Sequence, residues 1–231
     1  MRDTVLDARL MSAAELVRQG AVFADIGTDH AHLPIFLLES GRIERAVLSD
    51  VNRGPLESAA ENVREHGLSE RVELVLTDGA AALAGKGITD YAVCGMGGEL
   101  IARIVSDAPS MRDAGVRLIL QPMSRQSTLR VELAALGFSI LRESYSYAEG
   151  KYYVCMLAEY TGGAEIPDPI AAELGAYPES EMETEAYRGY LETRLRAATR
   201  ARDGRLAGGS DAVEEHRLVE ALSERINTLR R

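Results

Sequence analysis

Three aspartates stand where short apolar runs give way to polar ones: Asp25 in Ala24-Asp25-Ile26-Gly27-Thr28-Asp29-His30, Asp50 in Ser49-Asp50-Val51-Asn52, and Asp78 in Thr77-Asp78-Gly79. Open α/β sheets bind ligands outside the carboxyl ends of their strands, so acids in a row at that edge select for positive charge. A pyrophosphate demands the reverse, several glycines and free amides with no carboxylate beside them. Here Asp25 and Asp29 bracket a single Gly27, and the three glycines of a dinucleotide fingerprint are missing. Asp50 follows Gly27 by roughly twenty positions, the spacing at which an acid reaches the ribose hydroxyls of an adenosine; an aspartate ending a strand also serves as a turn or cap residue. The Asp78 carboxylate is an acceptor for an adenine amino group, and Gly79 leaves space for the ring. Together these residues fit a nucleoside that carries positive charge and no phosphate. S-adenosylmethionine, with its sulfonium and ammonium, has that character.

Further along, Cys94-Gly95-Met96-Gly97-Gly98 precedes a helical stretch. So many glycines imply close backbone approach or positive φ, and the helix behind them offers free amides; a plain tight turn has the same composition. Gln121, in Gln121-Pro122-Met123-Ser124, both donates and accepts, which suits it to a base edge or to a local backbone group. Cys94 and Cys155 lie in hydrophobic runs and read as buried small hydrophobes, and the cysteines and four histidines show no metal-ligand spacing.

These residues need a parallel sheet to align them. Strands are expected over 21–27, 45–50, 72–78, 91–96, 116–121, 138–147 and 152–160, several of them near-continuous apolar runs as for strands buried on both faces. Helices are expected over 33–40, 55–66, 99–107 and 126–136, with a leading helix over 4–18 covering the first strand. Only Ala148, Glu149, Gly150 and Lys151 separate the last two strands, too few for a crossover, so they form an antiparallel hairpin at the sheet edge. The fold class is therefore α/β: a Rossmann-like, seven-stranded, mostly parallel sheet ending in an antiparallel hairpin, the arrangement of class I methyltransferases. A nicotinamide-dependent oxidoreductase usually ends in a parallel sixth strand and is disfavoured.

Residues 1–160 form the catalytic domain in this reading. The segment 161–169, with Gly162, Gly163, Pro167 and Pro169, is a linker, and 170–231 is a helical extension. Two charged helices over 171–202 and 211–230 carry apolar seams, through Met182, Tyr187, Tyr190, Leu191 and Leu195 and through Val213, Leu218, Leu222, Ile226 and Leu229, which suits a coiled-coil-like hairpin leaning on the catalytic domain or a partner. The net charge of −10 excludes a general, sequence-independent hold on a polyanion, so any nucleic-acid surface must be a local patch. Arg188, Arg194, Arg196, Arg200, Arg202 and Arg205 supply one, or else pair with acids on helix surfaces. No apolar run reaches the length of a membrane span and no signal-peptide pattern opens the chain, so a cytoplasmic protein is expected.

The strings Asp25-Ile26-Gly27-Thr28-Asp29-His30-Ala31, Asp50-Val51-Asn52-Arg53-Gly54-Pro55-Leu56, Asp78-Gly79, Gly95-Met96-Gly97-Gly98 and Leu118-Ile119-Leu120-Gln121-Pro122-Met123, with Glu149-Gly150-Lys151-Tyr152-Tyr153, together resemble the bacterial family that methylates N1 of adenosine 22 in tRNA. The resemblance implies S-adenosylmethionine as cofactor and tRNA as partner. It places Asp25, Gly27, Asp29 and His30 along the methionine part, Asp50 and Val51 at the ribose, and Asp78 and Gly79 at the adenine, with Gly95 close by. The Asn/Asp-Pro-Pro-aromatic block of many amino-group methylases is absent, and Gly95 to Gly98 stands in its place. Adenine N1 attacks through an in-plane lone pair and needs no general base, so Asp29 and Gln121 are the candidates for orienting the base. Met96, Tyr145 and Tyr152 are candidates for the wall it stacks on, and Arg188, Arg194 and Arg196 for RNA contacts. Another RNA or a small molecule as acceptor, and a non-catalytic RNA-binding or assembly module, remain the alternatives; the oligomeric state is left open.

Overall fold

The computed structural model describes residues 4–178 and 181–229; the Met182 side chain and Arg230, which the expected tail helices include, lie outside them. Seven strands, β1 (Ala21–Ile26), β2 (Ile43–Asp50), β3 (Val72–Leu76), β4 (Asp90–Gly97), β5 (Arg117–Ser124), β6 (Phe138–Ala148) and β7 (Lys151–Tyr160), form one sheet in the order β3-β2-β1-β4-β5-β7-β6. The first five run parallel, and β7 is antiparallel to both β5 and β6. The reversal of strand order lies between β1 and β4, where a doubly wound sheet opens its ligand crevice.

Alternating side chains of each strand feed two separate cores. Phe23, Ala92, Ile119 and Cys155 pack on one face with α1 (Ala8–Leu16), α2 (His32–Glu39) and α3 (Arg53–Glu65). Ala24, Tyr91, Val93, Leu118, Leu120, Val154 and Met156 pack on the other with α4 (Gly98–Asp107) and α5 (Gln126–Ala135). The contacts of α1 fall mainly on β5, β6, β7 and α2, and not on the first strand as expected, so the helix fills the part of that face that α2 and α3 leave open. Asp7 caps it by accepting from the Leu10 N–H at 2.7 Å, and at its far end Arg18 pairs with the fully buried Asp90 of β4. The helix therefore runs from the carboxyl rim of the sheet toward the amino rim.

The tail differs from two plain helices. A short α6 (Pro169–Leu174), capped by Asp168, ends at Gly175 with φ 67°, and only then does α7 (Glu181–Ala207) begin; α8 (Val213–Thr228) follows. Contacts of Arg188 with Leu229 and of Arg205 with Glu215 set α7 and α8 antiparallel. Tyr187, Tyr190, Leu191, Ala198, Leu222 and Ile226 join the core of the α4–α5 face, so the seam foreseen in the sequence is spent on β6 and β7 as well as on pairing the two helices. A buried ion pair pins the junction: Arg130 of α5 donates to Glu143 of β6 at 2.6 Å, and Glu143 accepts from Tyr145 Oη at 2.7 Å and from the Ala176 N–H at 2.6 Å. A side chain at Gly175 would lie 2.5 Å from Arg130 Nη2 and from Glu143 Oε2, which is why a glycine turns the chain there.

Candidate active site

Strand register brings the acids together. Ile26 is level with Ser49 on β2 and with Val93 on β4, so Asp25, Asp50 and the Gly95 turn open on one rim. Asp25 is 8% exposed. Burial, opposed by the Thr28 hydroxyl and reinforced by nearby Asp50, pushes its carboxyl up to about 6. Asp50 accepts from the Asn52 N–H at 2.7 Å in a tight turn, with Val51 beside it largely exposed. Gly27 has φ 73° and donates its N–H to the Ser49 carbonyl. A Cβ on Gly27 would come 1.9 Å from the terminal methyl of Met96, so this glycine also admits the side chain that overhangs it.

Asp29 and His30 are exposed, with His30 Nε2 3.6 Å from Asp29 Oδ1, and the His30 carbonyl accepts from Asn62 of α3. Asp78 is exposed and 3.6 Å from Arg103, and Gly79 follows with φ 68°. The hydroxyls of Thr28 and Ser49 are buried at the ends of β1 and β2; that of Thr28 lies against the Asp25 carboxyl, and that of Ser49 has no hydrogen-bond partner among the described residues. Buried hydroxyls beside a buried acid and a glycine turn form a polar cradle suited to a cationic group. Val51, Leu100 and Met123 are exposed apolar side chains on the same rim. Among the described residues, the non-glycine positions with positive φ are Ala31, Arg125 and Glu149, at the starts of α2 and α5 and in the β6–β7 turn, all on this rim. At Glu149, followed by Gly150 with φ 79°, this is the usual geometry of a two-residue hairpin turn.

Three expected site residues are engaged by partners within the protein. Gln121 is fully buried; its Oε1 accepts from the Gly95 N–H at 3.1 Å and from Arg9 at 3.0 Å, so of the two roles open to it the structure matches the local one. Tyr145 is buried with its hydroxyl on Glu143 and the Ala176 carbonyl, inside the tail junction. Arg188 donates to the Leu229 carbonyl at the end of α8. Arg9, which nothing in the sequence singled out, reaches the rim from α1. Cys94 and Cys155 are free, and burial raises both thiols, Cys155 to about 12, so neither supplies a nucleophile. No group of His, Cys, Asp and Glu among the described residues is arranged to hold a metal ion.

The remaining candidates meet beside the rim. Tyr152 lies 4.8 Å from Tyr147, ring centre to ring centre, and rests on Gly189 of α7, where a Cβ would sit 2.1 Å from its ring. Between the end of β5, the β6–β7 turn and α7 runs a groove of about 470 Å³ whose lining includes Arg125, Lys151, Tyr152, Thr193, Arg194 and Arg196. Of these, Arg194 is paired with Glu173, Arg125 lies 3.7 Å from Glu99, and Arg196 donates to Thr193 Oγ1 at 3.0 Å. The groove's lining contains no acid, in a protein of net charge −10.

The family model for a methyltransferase domain matches residues 6–156. The tRNA (adenine(22)-N(1))-methyltransferase of Bacillus subtilis (strain 168) is 32% identical over 176 residues, 76% of this chain and 74% of that one. Among solved structures, a protein of the NADB-Rossmann superfamily from Streptococcus agalactiae superposes with a TM-score of 0.83 at 30% identity, over 97% of this chain and 99% of that one. A Streptococcus pneumoniae protein assigned as a tRNA (m1A22) methyltransferase, in complex with S-adenosyl-L-methionine, does so with a TM-score of 0.81 at 32% identity, over 96% of this chain and all of the other. With the sheet order, the acid rim and the extent of these matches agreeing, the chain belongs to the tRNA (adenine(22)-N(1))-methyltransferase family of S-adenosylmethionine-dependent enzymes.

Proposed function

We propose that this protein transfers the methyl group of S-adenosylmethionine to N1 of adenosine 22 in tRNA, with residues 1–160 binding the cofactor and residues 170–231, joined through 161–169, helping to carry the RNA. The observation that carries the reading is the rim itself: a buried Asp25 carboxyl beside the buried Thr28 and Ser49 hydroxyls, with no phosphate cradle, in a chain of this family. When bound, the cofactor supplies an electrophilic methyl on a sulfonium. Asp25, with Asp29 and His30 at the turn, holds its charged end; Asp50 and Val51 take the ribose; Asp78 and Gly79 take the adenine.

Adenine N1 presents its lone pair in the plane of the ring and has no proton to lose, so the protein's task is alignment and exclusion of water. Asp29 is exposed at the mouth, where its carboxylate accepts from the N6 amino group and offsets the positive charge that forms on the methylated base. Met96 and Tyr152 form the wall for the extruded nucleotide. Lys151, Arg125 and Arg196 meet the flanking phosphates in the acid-free groove. Reaction of the full chain with labelled S-adenosylmethionine and a tRNA transcript, followed by mapping of the modified nucleotide, should place one methyl on N1 of adenosine 22 and none on a transcript with guanosine there. Label on any other nucleotide, or none on tRNA at all, overturns the proposal.

A further inference from the structure

We infer that Arg9 is a positioning residue for methyl transfer, acting from α1 through Gln121 on the glycine turn that follows β4. The inference rests on the reading of that turn as part of the cofactor and base site. The path is short. Arg9 Nη1 donates to Gln121 Oε1 at 3.0 Å, and the Gly95 N–H donates to the same oxygen at 3.1 Å. Gly95 holds φ 80°, and the next residue, Met96, overhangs Gly27 of the cofactor turn.

A carboxamide has two ends of nearly the same shape, and only its partners decide which way it faces. The other end of Gln121 is held loosely, with Nε2 3.4 Å from the Pro122 carbonyl and 3.7 Å from Met123 Sδ. Arg9, a permanent donor, therefore fixes the oxygen toward Gly95; with the amide reversed, an NH₂ group would face the Gly95 N–H, donor against donor. The guanidinium is itself held, by Asp7 Oδ2 at 3.4 Å and by the Tyr153 ring at 5.9 Å. Its side chain is 20% exposed, so the bond to Gln121 is shielded from competing water.

The test compares Arg9→Met and Arg9→Lys in the full chain by two readouts. In cofactor-free protein, hydrogen exchange at the Gly95 amide should quicken about tenfold or more in Arg9→Met and stay near wild type in Arg9→Lys, whose ammonium still donates to Gln121 Oε1. In the tRNA reaction, Arg9→Met should lower kcat by about 30-fold, as expected of a misplaced reacting partner, while KM for both substrates and the melting temperature change little and Arg9→Lys restores most of the rate. Unchanged Gly95 exchange in Arg9→Met overturns the inference whatever the enzyme methylates. So does a loss confined to the KM for tRNA and shared by Arg9→Lys, which would place Arg9 on the RNA. Absence of tRNA methylation in the wild type would instead count against the proposed function and leave the exchange measurement to decide the role of Arg9.

Discussion

With Asp25 at the charged end of the cofactor, as proposed, cofactor capture is coupled to pH. An aspartate in an unfolded chain titrates near 3.9, roughly, and in the folded protein burial raises this group to about 6. Between those values the native state holds the extra proton, so this group's contribution favours the cofactor-free fold at low pH and is lost as pH rises through about 6. A cationic ligand reverses the preference, since it favours the carboxylate. Binding of S-adenosylmethionine near pH 6 should therefore release a proton, and affinity should fall about tenfold from pH 7 to pH 5. Calorimetry in two buffers of different ionisation enthalpy reads the proton directly. Asp25→Asn should bind more weakly at pH 7 and show neither the proton nor the slope, whereas a pH-independent wild type would remove Asp25 from the site. The acids were legible because strand-end position and charge are properties of the sequence. Gln121 and Tyr145 were not, because a polar side chain in an apolar run looks alike whether it faces a ligand or closes on Gly95 or Glu143 inside the core.

The elements were legible wherever hydrophobic period and length agreed. All seven strands and the hairpin appear in the expected order, with ends shifted by a few residues, as at β2, which begins at Ile43. The tail was misjudged at Gly175, because the bend there answers to partners remote in sequence, Arg130, Glu143 and Tyr145, that no local pattern reveals. The same junction yields a prediction. Glu143→Ala leaves the Arg130 guanidinium buried without its carboxylate, and loss of one partner of a buried pair costs about 3–5 kcal/mol. Denaturant unfolding should show that loss, with earlier proteolysis between α6 and α7 than in the wild type. An unchanged midpoint would mean that the apolar contacts of Tyr187, Tyr190 and Leu191 alone hold the tail.

Taken whole, the molecule carries its acids and a basic groove on neighbouring parts of one rim. Asp25, Asp50 and Asp78 surround the crevice, while Arg125, Lys151, Arg194 and Arg196 line the groove beside it; on the proposed assignment a cationic cofactor and a polyanionic substrate meet opposite fields a short way apart. Substituting Lys151 and Arg196 together by alanine should weaken tRNA binding, reduce the dependence of affinity on salt by about one phosphate contact per residue, and leave S-adenosylmethionine affinity unaltered. Filter binding across a salt series checks this; an unchanged slope would move the RNA to another surface. No described helix is long and apolar enough to cross a membrane.

The claim on which the rest depends is that this rim selects a cationic, phosphate-free nucleoside. Parallel calorimetric titration of the full chain with S-adenosylmethionine and with NAD at neutral pH tests it in one measurement. Saturable binding of S-adenosylmethionine with no heat from NAD is the result predicted here. Tight uptake of NAD with no response to S-adenosylmethionine would contradict it.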